Sequence, residues 1–310
     1  MVYSTMDPPP LQTVADPRLA TKQVQLSMLR LDKVHPTISG NKWYKLKYNL
    51  LRAREEQHDT LLTIGGAYSN HLYATAAAGR AYGFRTIGIV RGEAHEPLNP
   101  TLQFCHDQGM TLHYVDREAF RQRTDTAFQE DVQRQFGRYY FLPEGGTNAL
   151  AVRGCAEIIP AEQSFDYVAC CVGTGGTLAG IVVSTFEKAQ VLGFSALKGG
   201  EFLATEVNRL TKSYDGAIYD HYQLVYDYHF GGYARVKPPL IEFINTFYRT
   251  TGVPLDPIYT GKMLYGLYDK IEQNYFPEGS HILAVHSGGL QGIAGFNQRF
   301  DKRNLRILTN

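Results

Sequence analysis

The sequence lacks long apolar runs, a strong net charge and a secretory leader. No apolar run approaches the roughly 20 residues that a membrane-spanning helix needs, so we expect no membrane partner. The net charge of +1 provides no basic field for nucleic acid. Residues 1–10 lack a basic region followed by an apolar core, which predicts no secretory signal and a cytoplasmic location.

Cysteine is also scarce. The chain has four cysteines, and their spacing matches no metal site; they are Cys105, Cys155, Cys170 and Cys171. We therefore predict no metal, and we expect small buried thiols in a reducing compartment. Cys170 and Cys171 are neighbours on a predicted strand and should point to opposite faces.

Short apolar runs alternate with helix-like segments along most of the chain, which favours an α/β protein with largely parallel sheets. The predicted strands are Val24–Leu31, Thr60–Ile64, Thr86–Val90, Thr111–Val115, Tyr139–Leu142, Phe165–Val172, Gln190–Ala196, Gln223–Tyr228 and Ile282–His286. The predicted helices are Lys42–Glu56, Ser69–Gly83, Asn99–Gly109, Glu118–Gln135, Ala149–Ile159, a helix ending near Lys188, Glu201–Leu210, Pro239–Arg249 and Gly261–Gln273. The start of the chain is expected to be irregular.

A glycine-rich turn follows the strand at Phe165–Val172 and precedes a predicted helix. Its residues are Gly173, Thr174, Gly175, Gly176 and Thr177. A strand, such a turn and a helix N-terminus together form a phosphate-binding site, because free backbone N–H groups and the positive helix end attract anions. A turn that binds nothing is the alternative.

The spacing of this turn argues against two nucleotide motifs. A dinucleotide fingerprint needs a third glycine or an alanine where Leu178 stands. A P-loop needs a lysine where Ile181 stands. A smaller phosphorylated cofactor is therefore favoured.

Three further strand ends carry similar loops, rich in glycine and in hydroxyl or amide groups. They are residues 65–71, 143–148 and 286–289. Ligands of open α/β sheets bind beyond the carboxyl ends of the strands. A common ligand explains four such loops better than four unrelated turns do.

A phosphate site without a nucleotide motif suggests pyridoxal phosphate, which needs a lysine. Lys42 falls at the start of a predicted helix, where the helix end and a nearby cation would lower its pKa. Six motifs follow one another along the chain: Gly40-Asn41-Lys42, Lys45-Leu46, Ser69-Asn70-His71, the turn at 173–177, Asp256–Lys262 and His286–Gly289. Their order resembles the 1-aminocyclopropane-1-carboxylate deaminase and D-cysteine desulfhydrase family. This family belongs to the pyridoxal-phosphate enzymes of the tryptophan-synthase-β fold, and the match runs from about residue 39 to 290.

The resemblance implies a role for each matching residue. Lys42 would carry the cofactor as a Schiff base and move the substrate proton, and Ser69 would help to hold the substrate carboxylate. Tyr233 and Tyr259 would face the substrate. The implied cofactor-binding residues are Lys42, Lys45, Asn70, Gly173, Thr174, Gly175, Gly176, Thr177, Thr260 and Ser287.

The resemblance also implies an architecture. It consists of two three-layer α/β/α domains with largely parallel sheets, as in fold type II of the pyridoxal-phosphate enzymes. Residues 1–46 and 149–310 would form the larger, cofactor-binding domain, and residues 47–148 a smaller inserted domain. A homodimer is implied in the same way.

Thr260, Ser287 and His71 replace the Glu, Leu and Gln of deaminases and look like the desulfhydrase side of the family. A hydroxyl at Thr260 would leave the pyridine nitrogen of the cofactor largely neutral, which suits α,β-elimination from a substrate with an acidic Cα–H. Two pairs, Trp43-Tyr44 and Leu72-Tyr73, depart from both subfamilies and would alter the rim of the pocket.

The expected activity is α,β-elimination from a small amino acid, most simply D-cysteine, giving pyruvate, ammonia and sulfide. Deamination of 1-aminocyclopropane-1-carboxylate is the alternative within the family. A non-catalytic protein that binds pyridoxal phosphate and a nucleotide-binding α/β protein are alternatives of other classes.

Overall fold

The computed structural model describes residues 8–300 and 305–309. Its strands are β1 (Leu11–Thr13), β2 (Gln25–Arg30), β3 (Thr60–Gly66), β4 (Arg85–Arg91), β5 (Met110–Val115), β6 (Tyr140–Leu142), β7 (Tyr167–Val172), β8 (Gln190–Ser195), β9 (Tyr222–Val225) and β10 (His281–His286).

The helices separate most of these strands. They are α1 (Pro17–Thr21), α2 (Asn41–Glu55), α3 (Asn70–Tyr82), α4 (Pro100–Asp107), α5 (Arg117–Arg121), α6 (Thr126–Phe136), α7 (Ala149–Cys155), α8 (Gly176–Ser184), α9 (Phe202–Asp215), α10 (Pro238–Thr251), α11 (Thr260–Glu272) and α12 (Gly292–Phe300). Short 3-10 helices occupy Leu31–Lys33 and Glu144–Gly146.

The strands form two sheets. The larger has six strands in the order β1-β2-β10-β7-β8-β9, and all neighbours are parallel except β1 and β2. The smaller has four strands in the order β5-β4-β3-β6, all parallel. The expected α/β architecture with largely parallel sheets is confirmed.

Helices cover both faces of each sheet. On the larger sheet, α7, α8 and α9 pack on one face, while α10 and α11 pack on the other. On the smaller sheet, α3 and α4 pack on one face, while α5 and α6 pack on the other. The alternation is visible in β7, where Cys170 joins the first of these cores and Cys171 the second, as predicted.

Helix α2 lies between the two sheets. Its Trp43, Leu46 and Leu50 share one apolar cluster with Leu61 of the smaller sheet and Val168 of the larger. The predicted domain boundary between residues 46 and 47 falls within this helix. The division into residues 1–46 with 149–310, and 47–148, stays a prediction.

Several predicted elements need correction. The single helix expected at Glu118–Gln135 is two helices, because the chain turns after Arg121 and Asp125 is the N-cap residue of a second helix, α6. The helix expected to end near Lys188 ends at Ser184, and the one expected to end at Ile159 ends at Cys155. The sequence pattern missed β1, α1 and α12, since short or terminal elements give little periodicity.

The four cysteines are buried and unpaired. Across residues 8–300 and 305–309, we find no helix with the length and apolar character required to cross a bilayer.

Candidate active site

The four glycine-rich loops converge at the carboxyl ends of the strands. The loops after β6 and β7 meet where Thr147 Oγ1 and Thr174 Oγ1 hydrogen-bond at 2.5 Å. The loops after β3 and β10 approach each other at Asn70 and Gly289. A Cβ added at Gly289 would lie 3.0 Å from Asn70 Nδ2. The site therefore draws residues from both sheets.

The turn after β7 has the backbone of an anion-binding loop. Gly175 has φ +82° and forms the N-cap of α8, a conformation that favours glycine. A Cβ at Gly176 would lie 2.9 Å from Thr147 Cγ2 and 3.3 Å from Lys45 Nζ. These glycines let the start of α8 approach Lys45, which concentrates positive potential at one point.

Lys45 is buried, with 3% exposure, and its ammonium group meets only neutral acceptors among the described residues. Its Nζ donates to Gly145 O at 3.1 Å, to Thr147 Oγ1 at 3.1 Å and to Thr174 Oγ1 at 3.4 Å. Burial, and then the charge of Lys42, lowers the pKa of Lys45 to about 7. A phosphate bound here would supply the missing countercharge.

Lys42 stands one turn before Lys45, in the first turn of α2. The helix starts against the loop after β10: Asn41 N donates to Ser287 O at 3.1 Å, and Gly40, with φ +70°, leaves no room for a Cβ. Lys42 Nζ donates to Asn41 Oδ1 at 2.9 Å. Burial lowers the pKa of Lys42, against the attraction of nearby acidic groups. Burial, rather than the nearby cation we expected, is the dominant cause.

Ser69 and Asn70 begin α3. Ser69 Oγ caps the helix by accepting from His71 N and Leu72 N, both at 3.2 Å. Asn70 Oδ1 accepts from Gln291 Nε2 at 2.8 Å. Gln291 was missed by the sequence pattern, because its contact with Asn70 joins segments that lie far apart in the chain.

The two predicted tyrosines lie together. The rings of Tyr233 and Tyr259 are 6.0 Å apart at an interplanar angle of 65°. Tyr259 also lies against the phosphate loop, since a Cβ at Gly173 would be 3.1 Å from its Cε1. Burial raises the pKa of Tyr259, so its phenol keeps its proton at neutral pH.

Lys262 fixes the loop that carries Tyr233. It is 2% exposed, and its Nζ donates to His229 O and Gly232 O, each at 2.9 Å. Burial lowers its pKa to about 8. The side chain therefore connects α11 to residues 229–232 through two hydrogen bonds.

Thr260 is fully buried and bound to Asp256. Its Oγ1 donates to Asp256 Oδ1 at 2.6 Å and accepts from Asp256 N at 3.1 Å. A hydroxyl has one proton and two lone pairs, so Thr260 retains only an acceptor position for a ligand. A hydroxyl that donates to a carboxylate can only accept from the pyridine nitrogen, and such an acceptor favours the protonated form of that nitrogen. The structure therefore favours a protonated ring nitrogen, whereas the sequence led us to expect a neutral one.

Ser287 lies at the end of β10, where its Oγ is 3.1 Å from Cys171 Sγ. The predicted cofactor residues therefore lie in one region: Lys42, Lys45, Asn70, Gly173, Thr174, Gly175, Gly176, Thr177, Thr260 and Ser287. Thr177 joins it by accepting from Asn41 Nδ2 at 2.8 Å. Their contacts to a ligand stay predictions.

The expected change at the pocket rim needs correction. Trp43, Tyr44 and Leu72 are 6%, 8% and 0% exposed and pack in apolar cores. Tyr73 stacks on Phe104 with ring centroids 3.7 Å apart. Trp43, Tyr44 and Leu72 therefore belong to the packed interior, and Tyr73 packs against α4.

The comparison that decides the family is the match of residues 10–288 to the family model described as pyridoxal-phosphate dependent enzyme. The chain belongs to this family. Pyridoxal phosphate is therefore the cofactor, and the site fits it: buried Lys45, with neutral acceptors only, suits a phosphate, and Lys42 offers an amine.

Individual relatives show which members of this family the chain is similar to. The chain is 29% identical over 295 residues to the mitochondrial bifunctional D-cysteine desulfhydrase/1-aminocyclopropane-1-carboxylate deaminase of Arabidopsis thaliana, covering 87% of this chain and 73% of the relative. It is 28% identical over 291 residues to a 1-aminocyclopropane-1-carboxylate deaminase of Bradyrhizobium, covering 85% of each.

A crystal structure of an ACC deaminase homologue superimposes with a TM-score of 0.85 at 25% identity, over 97% of this chain and 95% of that one. Threonine deaminase isoform 2 of Solanum lycopersicum superimposes with a TM-score of 0.70 at 15% identity and covers 98% of this chain and 90% of its own. The second likeness shows the fold alone. The expected fold type II of the pyridoxal-phosphate family is confirmed.

Proposed function

We propose that this enzyme is a pyridoxal-phosphate-dependent lyase that carries out α,β-elimination on a small D-amino acid, with D-cysteine as the reference substrate. Water and D-cysteine would give pyruvate, ammonia and hydrogen sulfide. The arrangement of Lys42 and Lys45 carries the proposal. One turn of α2 presents buried Lys45 in a cradle of hydroxyl and carbonyl groups and half-buried Lys42 as an amine, and the pKa of both is lowered.

Each residue has a definite task in this proposal. Lys42 would hold the cofactor through its amine, and the same amine would remove the Cα proton of the bound substrate. The cofactor, when bound, draws electrons away from Cα and so acidifies that C–H bond. Ser69 holds the substrate carboxylate, while Tyr233 and Tyr259 enclose the side chain that departs from Cβ.

The other predicted residues would hold the cofactor. Lys45 and the loop Gly173–Thr177 would bind the phosphate, and Asn70 would donate to the phenolic oxygen. Thr260 would face the ring nitrogen, with Ser287 beside it. After elimination, the released aminoacrylate takes up water and yields pyruvate and ammonia.

Deamination of 1-aminocyclopropane-1-carboxylate is the second candidate, because relatives of similar identity carry that name. That substrate has no Cα–H, so its ring opening begins with a different bond. Ser287 and His71 favour the elimination, since both depart from the deaminase pattern described above.

A keto-acid assay separates the two reactions. Purified holoenzyme would be mixed with D-cysteine, L-cysteine, D-serine, D-alanine or the cyclopropane acid, and pyruvate, 2-oxobutanoate and sulfide would be measured. We expect pyruvate and sulfide from D-cysteine. Turnover of the cyclopropane acid alone would refute the elimination, and cofactor binding without any keto acid would indicate a non-catalytic protein.

Borohydride reduction tests the lysine. The parent should carry a reduced cofactor adduct at Lys42, located by peptide mass, and Lys42→Ala should carry none there. Lys188→Ala, which removes an exposed lysine, is the matched control. An adduct at another lysine in the parent would overturn the assignment.

We also propose a homodimer and a cytoplasmic location. The homodimer follows from the resemblance, and sedimentation should then give twice the chain mass of 34.8 kDa. Four buried, unpaired cysteines support a reducing compartment. Fractionation of the native cell would test the location.

A further inference from the structure

A buried charged cluster lies where β2 and β10 end side by side, next to the loop 286–289. Its members are Arg30, Asp32 and His286, whose side chains are at most 5% exposed. Arg30 Nε and Nη2 donate to the two carboxylate oxygens of Asp32 at 2.8 and 2.6 Å, and Asp32 Oδ1 lies 3.4 Å from His286 Nδ1. Burial of ions costs free energy, and the proposed reaction uses none of these three groups.

The hydrogen bonds of His286 define its tautomer. Gly288 N donates to Nδ1 at 3.2 Å, so Nδ1 acts as an acceptor and carries no proton. An imidazole has at least one N–H, which places the proton on Nε2, 2.8 Å from Pro254 O. In this form both ring nitrogens have a partner, and the ring joins the loop 286–289 to the segment that begins at Pro254.

The Arg30–Asp32 pair is compatible with this form of the ring. Burial raises the pKa of Asp32, but the hydrogen bond from Arg30 outweighs it and keeps that pKa below its ordinary value. The guanidinium therefore compensates the charge of the Asp32 carboxylate through two hydrogen bonds. A proton on Nδ1 of His286 is not needed for that purpose, so Nδ1 stays free to accept from Gly288.

One side of the loop 286–289 packs against the start of α2. A Cβ added at Gly40 would lie 2.0 Å from Ser287 O, so the two backbones touch. Asn41 N also donates to Ser287 O at 3.1 Å. A displacement of this loop would therefore move the first turn of the helix, which carries Lys42.

The other side of the loop meets the segment that His286 binds through Nε2. A Cβ added at Gly289 would lie 3.4 Å from Asp256 Cγ. Asp256 follows Pro254 by two residues and binds the Thr260 hydroxyl at 2.6 Å. His286 thus holds two segments, one beside the reactive amine and the other at the proposed position of the ring nitrogen.

We propose that His286 is a positioning residue for the elimination reaction. Its Nε2–H form holds the loop 286–289 and the segment 254–260 in one arrangement, and this arrangement aligns Lys42 with the ring of the bound cofactor. The inference rests on the proposed function, since the alignment matters for removal of the Cα proton by Lys42. A misplacement of about 1 Å can slow a reaction by about a hundredfold.

Nuclear magnetic resonance of apoenzyme labelled with 15N-histidine tests the form of the ring. The signal of His286 is assigned by its loss in His286→Asn. At neutral pH we expect a proton on Nε2, none on Nδ1, and slow exchange of the Gly288 amide. A proton on Nδ1 would overturn the proposal. The measurement needs no cofactor, so its outcome does not depend on the proposed function.

Two variants of His286 test the effect on the reaction. His286→Leu removes both hydrogen bonds and should lower kcat for D-cysteine by about a hundredfold, with KM within about threefold of the parent. His286→Asn keeps an acceptor at the position of Nδ1 and should recover about tenfold of that loss. Leucine is closer to the imidazole in volume than asparagine is, so a role in packing alone predicts the reverse order.

The outcomes separate this inference from the proposed function. An active parent with an equally active His286→Leu refutes the positioning role alone, whereas a parent without turnover of D-cysteine refutes the proposed function. Where His286→Leu does not fold, His286→Asn with fast Gly288 exchange and parental kcat would overturn the positioning role.

His281→Leu is the matched control. His281 lies at the amino end of β10, away from the loop 286–289, and its Nε2 is 2.9 Å from Ser27 Oγ. Its replacement should leave kcat and KM within about twofold of the parent and the exchange of the Gly288 amide unchanged. An equal loss of kcat in His281→Leu and His286→Leu would refute a specific role for His286.

Discussion

Lys42 and Lys45 show how position within one helical turn determines chemistry. Both are cationic in water, and both are placed where burial disfavours the charge. Lys45 is surrounded by oxygens of Gly145, Thr147 and Thr174, so it suits a permanent anion. Among the described residues, Lys42 Nζ donates only to Asn41 Oδ1, so its amine is available for reaction.

The lowered pKa of Lys45 predicts a pH dependence of stability in the apoenzyme. Its pKa is about 7 in the fold against an ordinary 10.5, so between these values the unfolded chain binds more protons. The free energy of unfolding should therefore rise with pH across this window. Lys45→Met should flatten the rise by an amount on the order of a few kcal/mol. Urea unfolding at pH 7, 8 and 9 would measure it.

Lys188→Met is the control for this experiment, because Lys188 is exposed. It should follow the parent at every pH. Identical slopes for Lys45→Met and the parent would show that the lysine titrates at its ordinary value in the folded protein.

Asp256 is expected to control the ring nitrogen of the cofactor through Thr260. Its carboxylate accepts from Ile258 N, Tyr259 N and Thr260 N, besides the Thr260 hydroxyl. Asp256→Asn keeps an acceptor for the backbone but removes the charge. With 15N-labelled pyridoxal phosphate, the pKa of the ring nitrogen should fall by about 1–3 units in this variant.

Thr260→Ser keeps the hydroxyl and should match the parent spectrum, whereas Thr260→Val should behave like Asp256→Asn. A neutral ring nitrogen in the parent would restore the expectation drawn from the sequence. The hydroxyl would then have to donate to the ring, and the bond to Asp256 at 2.6 Å would have to break.

At the scale of elements, the contact between α2 and α7 places both lysines. A Cβ added at Gly154 would lie 1.8 Å from Tyr44 O. Gly154→Ala should therefore push the helices apart and lower the free energy of unfolding by about 1–3 kcal/mol or more. Urea unfolding of the apoenzyme would measure the loss.

The matched control is Gly292→Ala in α12, where the nearest atom to an added Cβ is 3.9 Å away. This change should be neutral or slightly stabilising, because alanine loses less backbone freedom than glycine on folding. Equal stability of Gly154→Ala and the parent would mean that the helices can separate without loss of packing.

Elements were predictable where an apolar run or a cap is strong. The strands β3 and β7 follow from continuous buried runs, and α3 follows from its cap at Ser69 and its end at Gly83. The division between α5 and α6 was missed, although Asp125 gives a start signal, because an amphipathic pattern continues across it. Three-residue β1 is held by pairing with β2, which the local sequence does not encode.

The loops and residues of the site could be predicted from the sequence, but the hydrogen bonds between them could not. Glycine-rich strand ends identify the loops, and the resemblance identifies Lys42. The partners of Lys45 lie about a hundred residues away or more, and Gln291 meets Asn70 across more than two hundred. Such contacts depend on how the two sheets are placed relative to each other, so spacing along the chain cannot reveal them.

The molecule as a whole places the site between two sheets that share one apolar cluster through α2. The smaller sheet contributes Ser69, Asn70 and the loop 143–148, while the larger contributes the loop Gly173–Thr177 and residues 286–289. A ligand that contacts both sets of loops should tie the sheets together. Cofactor binding is then expected to stabilise both sheets and not only the one that holds the phosphate.

Hydrogen exchange and thermal unfolding, compared between apoenzyme and holoenzyme, test this coupling. We expect slower amide exchange in residues 65–72 and 143–148 as well as 173–177, and stabilisation of about 2.7 kcal/mol at a cofactor concentration of 100 Kd. Lys42→Ala keeps the cradle around Lys45 but lacks the covalent bond, so it should need more cofactor for the same shift. Protection confined to residues 173–177 would show that the cofactor engages the larger sheet alone, and that the smaller sheet is held only by the apolar contacts of α2.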